Sequence, residues 1–449
     1  MTLASGDELL GRAERAVEQA MSRGAHEAEC WWQSAASLEV EIQGGEISNA
    51  GRSQGSGAAI RVVREGRVGF AYYTEPEGAG AAIARALENL RLAPAKGYSL
   101  PFPGRSAPLK GRWDERVAAL DVADALPLAE GILAGARESA HDAVVAGGGI
   151  GLDAGVVAIA SSHGLSAWDR ETGVGGHASL VLEGVGRTVT ADESETGHRL
   201  ALDAKAVGRR AGERLLSLRD PQPSGASGPC DVVLRPNAVA ELILGIVVSA
   251  ATGDEAKRGR SMWSDALGKP VADSGFTLAD EPRHPEAIGG APFDGEGVPT
   301  GRVPLVEKGL LRTFLYDSWD AHQWSGVTTA SAVRGGFKSR PETGVHHVVV
   351  SHRTTAPMDR LVAGMEDGFV VESVLGAHTA NATTGDFSVT APAVWRVRGG
   401  AVEGPVTEVA IAGNLGELLR RVDGASQEVK AMEGSRVPSL RFRGVAVSS

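Results

Sequence analysis

Leu9, Ala13, Val17 and Ala20 recur at helical spacing, so the chain opens on an amphipathic helix. Ser5 stands at its N-cap with Glu8 three residues on, the arrangement of a capping box, and Gly24 is a fitting stop. Leu38-Glu39-Val40-Glu41-Ile42 then alternates as a half-buried strand does, closed by the turn pair Gly44-Gly45. Residues 58–63 and 68–73, joined by Arg64-Glu65-Gly66-Arg67, read as a hairpin. Ile83, Leu87 and Leu90 give a second helix over 80–90. Residues 1–95 therefore predict one α+β unit.

Four prolines (Pro94, Pro101, Pro103, Pro108) make 93–110 a linker or extended connection. A second N-terminal subdomain is expected over 111–220. It holds a helix near 122–139, strands around 144, 156–160 and 178–182, and a polar helix over 203–218. Asp220-Pro221-Gln222-Pro223-Ser224-Gly225 is the sharpest boundary in the chain. From 228 to 449 one apolar helix (238–251) precedes many short strands cut by glycine, which predicts a sheet-rich C-terminal domain.

Length and charge narrow the function classes. A chain of 449 residues suits two or three domains and folds without disulfides or metal. Its 45 basic and 56 acidic residues leave −11, which disfavours a nucleic-acid binder. The most apolar stretch, 238–251, is interrupted by Glu241 and too short to span a bilayer; with no signal-peptide pattern at the N-terminus, a cytoplasmic protein without membrane contact is expected. Cys30 and Cys230 form neither a disulfide framework nor a CxxC metal site and read as two small buried thiols.

Three motif matches lack their context. Gly51-Arg52-Ser53-Gln54-Gly55 fits G-x-S-x-G, but a strand rather than a helix follows, so a glycine-rich turn is expected. Gly149-Ile150-Gly151-Leu152-Asp153-Ala154 fits the dinucleotide pattern, again without its helix, and also reads as a turn. His346, His347 and His352 lie in a strand-like run, where His346 and His352 would stand about 20 Å apart with His347 on the other face. Two clusters do have the composition of a working surface. Phe293-Asp294-Gly295-Glu296-Gly297-Val298-Pro299-Thr300 places two carboxylates in a tight loop, and residues 376–388 gather His378, Asn381, Thr384, Gly385, Asp386 and Ser388. Such density of hydrogen-bonding groups is costly to bury without partners, so a polar loop and a functional surface both fit.

These clusters carry a resemblance. Residues 376–388, ending in Thr-Gly-Asp-Phe-Ser, resemble the C-terminal signature of the TldD/PmbA family. So do 293–300, the following Val306-Glu307-Lys308-Gly309-Leu310-Leu311, Ile411-Ala412-Gly413-Asn414-Leu415, and the N-terminal Ile60-Arg61-Val62 with Gly66-Arg67-Val68-Gly69-Phe70-Ala71. The resemblance spans nearly the whole chain and implies an α+β fold, an N-terminal α/β-type sandwich region followed by a sheet-rich C-terminal domain. The TldD branch of that family looks like a zinc peptidase with an H-E-x-x-x-H helix and a late cysteine. Registering its Glu-Gly-Asp on Thr252-Gly253-Asp254 puts the motif's first His, Glu and last His at Leu244, Gly245 and Ser249, and no cysteine follows Cys230. None of these side chains can ligate zinc or take a proton from its water.

The chain thus resembles the TldE (PmbA) branch. The resemblance implies a subunit without cofactor or catalytic residues of its own, in a heterodimer with a TldD-like chain that carries the zinc. The substrate would be an unfolded or leader peptide bound as an added strand on a sheet edge inside the complex, and the two subunits would meet across a large, apolar interface. Asp294, Glu296, Gly297, His378, Asn381, Thr384, Gly385, Asp386 and Ser388 are then groove-lining or structural, with no metal ligand among them. Two alternatives stay open: a metal-independent amide hydrolase working through His378, Asp386 and Ser388, and a non-catalytic homodimeric binding protein.

Overall fold

The computed structural model describes residues 3–184, 187–225 and 227–449. The opening helix α1 (Gly6–Ser22) begins where the pattern placed it, with Ser5 Oγ accepting from Glu8 N. Only half of the capping box forms, because the Glu8 carboxylate turns to Arg12 four residues on. Strands β1 (Glu27–Gln43), β2 (Glu46–Arg64) and β3 (Arg67–Tyr73) follow, then helix α2 (Ala79–Asn89). After the proline-rich connection come α3 (Glu115–Ala119), α4 (Val122–Ser139), β4 (Val144–Ser161), β5 (Ser166–Gly184), β6 (Arg187–Gly197) and α5 (Ala204–Ser217).

Both N-terminal stretches build a single antiparallel sheet in the order β3-β2-β1-β4-β5-β6, joined where β1 pairs β4 along most of its length. Two expected turns are corrected here. Gly51–Gly55 lies inside β2, and Gly149–Ala154 inside β4, each hydrogen-bonded to β1. Glycine is tolerated because strands of 17 to 19 residues draw their pairing from flanking Val, Ile and Leu on the helix-covered face. The nucleophile elbow and the dinucleotide turn are therefore both absent in form: neither motif bends the chain.

Alternation along β1 divides the sheet into two faces. On the covered face Cys30 and Trp32 pack on α1 and α2, and farther along the strand Leu38, Val40 and Ile42 pack on α4 and α5. The two last helices cross closely: a Cβ on Gly208 would stand 1.9 Å from Ile132 O, and one on Gly135 would stand 2.0 Å from Lys205 O. Reciprocal glycines let the backbones meet there.

The C-terminal domain is strand-rich as expected. Its mixed sheet runs through Ser227–Leu234, Asp367–Leu375, Asp386–Arg398, Val409–Asn414 and Ser435–Ser448. The last of these strands also pairs with the first, so the five close on themselves. Their inward residues share one core with the helix over residues 236–250, which widens to a π-helical turn at Val239–Leu244. No helix of the described residues is long and apolar enough to cross a membrane.

Candidate functional site: the domain junction and the exposed C-terminal sheet face

The open face of the N-terminal sheet meets the C-terminal domain. There the loop 293–300 docks, with Phe293 packed among Trp31, Ala59, Ile159 and Leu165. Gly297 adopts φ +79°, and a Cβ on it would stand 2.2 Å from a Leu165 methyl, so the loop needs glycine there.

Beside it lies a buried ion network. Glu29 and Arg61 face each other across β1 and β2. Arg61 donates to Glu29 (2.6 Å) and to Glu296 (2.6 Å). Arg334 donates to Glu29 and to the Gly295 carbonyl (2.6 Å). Glu296 also accepts from Ser318 N (2.8 Å) and Oγ (2.6 Å). Asp294 accepts from Glu296 N and Val298 N (2.9 Å each) and from Ala332 N (3.2 Å). The charged side chains of this network are all buried.

Burial and the neighbouring Glu296 push the Asp294 carboxyl up to about 7 against its three N–H donors. Despite burial, Arg61 and the Ser318 hydrogen bonds hold Glu296 below the usual carboxylate range. Asp317, whose carboxylate caps Asp320 N, is likewise pushed up to about 7 by burial and by Glu296. Asp294, Glu296 and Gly297 thus brace two domains.

The second cluster is exposed and self-braced. Asn381 Oδ1 accepts from Thr383 N (2.9 Å) and Thr384 N (3.3 Å), and Gly385 (φ +85°) donates back to the Asn381 carbonyl (2.7 Å). Asp386 accepts from Thr384 Oγ1 (2.7 Å) and Asn414 Nδ2 (2.9 Å), which hold its carboxyl below the usual range. Among the described residues neither the His378 ring nor the Ser388 hydroxyl has a hydrogen-bond partner, so His378, Asp386 and Ser388 form no relay. The structure brings Asn381, Thr384, Gly385 and Asp386 together. No hydrogen bond links them to Asp294 or Glu296.

Ser388 belongs to a flat exposed patch. Cross-strand register aligns Ser388, Ala412 and Ala446 in one row and Thr390, Ala410 and Ser448 in the next, all exposed. Farther along the first of these strands, outward-facing Ala393 and Trp395 are covered by the α4–α5 layer, with Trp395 Nε1 donating to the Ser217 carbonyl. The patch is the uncovered part of the same strand surface.

Four further features bear on chemistry. Leu244 is buried in the core, while Gly245 and Ser249 lie exposed on one side of their helix. His352 pairs with Asp273 (3.0 Å) and His346 with Asp280 (3.3 Å), while His347 stacks near His284. Among the described residues no three His, Cys, Asp or Glu side chains converge as a metal would need. Burial pushes the Cys30 thiol up to about 12 and the half-buried Cys230 up to about 11. Away from the docked loop, the open sheet face forms a cleft of about 1020 Å³ over β1, β4, β5 and β6. Its floor is glycine at 147, 151, 155 and 197, where a Cβ would meet nothing within 4 Å.

Sequence reasoning missed Glu29, Arg61 and Arg334 as network members. A signal was present: Glu29 interrupts Ala28-Glu29-Cys30-Trp31-Trp32, and Arg61 interrupts residues 58–63, both otherwise apolar. A lone charge inside a buried strand requires a buried partner.

Known proteins share this fold. Residues 29–90, 115–219 and 227–449 match the models for PmbA/TldA metallopeptidase domain 1, central domain and C-terminal domain. The crystal structure of TldE from Thermococcus kodakarensis superposes with a TM-score of 0.91 at 25% identity, covering 98% of this chain and 100% of that one. Metalloprotease PmbA of Escherichia coli O157:H7 is 26% identical over 90% of this chain and 88% of its own length. An uncharacterized protein of Methanocaldococcus jannaschii is 24% identical over 92% and 94%. The chain belongs to the PmbA/TldD metallopeptidase family, in its PmbA (TldE)-like branch.

Proposed function

We propose that this chain is the non-catalytic subunit of a two-subunit cytoplasmic zinc peptidase, paired with a TldD-like chain that holds the metal and cleaves unfolded or leader peptides. The observation that carries the reading is the identity of Leu244, Gly245 and Ser249 where the catalytic helix would bear His, Glu and His. Leucine in the core and glycine on the surface supply neither a ligand nor a base. The exposed patch of Ser, Thr and Ala gives a partner a flush surface with little side-chain entropy to lose. The glycine-floored cleft has room for an extended peptide backbone close to the sheet.

Co-expression with a TldD-like chain tests this. Expected are a stable heterodimer, zinc at one equivalent per pair and none on this chain alone, and peptidase activity only in the pair. Ser388→Arg with Ala412→Arg should abolish pairing while each subunit stays folded. Stoichiometric zinc on this chain purified alone, or peptide cleavage without the partner, would sink the reading. A homodimer that persists in the partner's presence would favour the binding-protein alternative.

A further inference from the structure

Four arginines gather where the helical layer of the N-terminal domain ends. β2 turns into β3 through Glu65 and Gly66, and the pair that closes the turn is Arg64 opposite Arg67. Both side chains leave the sheet on the face that carries Ile60 and Val62, beneath α1 and α2. Arg23 at the end of α1 and Arg91 just beyond α2 complete the group. They surround a cleft of about 640 Å³ that also holds Glu65 and Glu88.

Like charges directly opposed on antiparallel strands destabilise the pair. No ion pair joins any of the four arginines to a carboxylate among the described residues, in a chain whose net charge is −11. Arg23 donates to the Gly80 carbonyl (2.6 Å) and Arg67 to the Ala93 carbonyl, which fixes two of the guanidinium groups. Among the described residues the guanidinium groups of Arg64 and Arg91 have no hydrogen-bond partner.

The ends of α1 and α2 account for part of this. Each helix C-terminus offers about half a negative charge, so the two ends with Glu65 and Glu88 supply about three against four positive charges. Helix ends explain cations at 23 and 91. They do not explain Arg64 set against Arg67, nor the excess that remains.

We propose that this cleft is an oxyanion site for a small ligand bearing a phosphate or pyrophosphate group. Guanidinium forks bind such groups through paired N–H donors, which a carbonyl-anchored Arg23 and Arg67 hold ready. The site lies on the helix-covered side of the sheet, away from the face that meets the C-terminal domain, and does not depend on a metal-bearing partner.

Calorimetric titration of the full chain with sodium pyrophosphate in low salt tests it. Saturable binding is expected, weakened by about tenfold or more in Arg64→Gln/Arg67→Gln and declining with rising salt. The same double variant should melt no lower than wild type without ligand, because an opposed like-charge pair has been removed. Arg91→Gln, at an exposed position, provides a second variant that leaves the hairpin intact. No saturable heat up to about 10 mM, a weak affinity on any scale, would overturn the proposal. So would equal affinity in wild type and both variants.

Discussion

Replacing Arg61 by Met removes the one cation shared by two buried carboxylates while keeping a long apolar stem over Tyr98. The side chain is 5% exposed and stands 2.6 Å from both Glu29 and Glu296. At an effective dielectric of about 20, each contact is worth about 4 kcal/mol of attraction, much of it offset by the desolvation of the guanidinium. Stranding a buried charge by removing its partner typically costs about 3–5 kcal/mol. Glu29 keeps Arg334, and Glu296 keeps both Ser318 donors, which places Arg61→Met at the lower end, about 3 kcal/mol. That is a large share of the roughly 5–15 kcal/mol that stabilises a domain.

The assay is urea unfolding followed by tryptophan fluorescence and far-UV circular dichroism. Because Arg61 ties the N-terminal sheet to the 293–300 loop, the variant should unfold earlier and with the two signals no longer coincident. Adding Glu296→Gln to Arg61→Met should cost less than the two single changes together, since the stranded charge is then gone. A loss below about 1 kcal/mol, within the range of exposed ion pairs, would refute the reasoning. So would strict additivity of the two changes.

Three further outcomes follow from local geometry. Asp317, pushed up to about 7, is protonated in the fold over a range where the unfolded chain, with its ordinary value of 3.8, is ionised. The folded state then binds the extra proton, so this group's contribution to stability is full below about pH 4, falls as pH rises through 7, and is flat above. Asp317→Asn keeps the cap on Asp320 N and should flatten that decline, leaving the variant more stable at pH 8 by up to ~4 kcal/mol; equal pH profiles for variant and wild type would contradict this. Gly208→Ala should lose about 2 kcal/mol or more in thermal unfolding, because its Cβ meets the Ile132 carbonyl, whereas Gly151→Ala, facing open space, should be neutral or stabilising by about 0.5 kcal/mol. Asn414→Ala removes the cap on Gly416 N and Glu417 N and the bond to Asp386; about 1 kcal/mol should be lost, with faster amide exchange in Leu415–Arg420.

Helices were legible in the sequence wherever a short-range rule sufficed. The Val122–Ser139 helix, the Glu65-Gly66 hairpin turn and the stop at Gly24 each depend on residues within a few positions of one another. The long strands were not, because what holds β4 along its whole length is β1, more than 100 residues back where Gln43 pairs Gly147, and the far half of β5, where Val144 pairs Val181. Glycines at 147, 149, 151 and 155 look like punctuation to any local reading. They sit in a strand because the opposite face of that strand carries Ile150, Leu152 and Val156 into two cores. The union of both N-terminal stretches in one sheet is likewise a pairing fact that no local pattern encodes.

The candidate site divides along the same line. Polar density marked 293–300 and 376–388 as unusual, but composition could not say which would be buried. Glu296 is tolerated inside because Arg61 arrives from 235 residues before it and Ser318 donates twice from 22 residues after it, and Asp294 because three backbone N–H groups converge on it. Asp386 needs no such help, since Asn414 on the neighbouring strand and Thr384 two residues back satisfy it in the open. One family signature therefore does two physical jobs. The first half fastens two domains through buried carboxylates met by Arg61, Ser318 and backbone N–H donors, and the second half braces the edge of a bare sheet surface. Such bracing suits the proposed pairing, because a loop already ordered before association would leave less entropy to lose on binding.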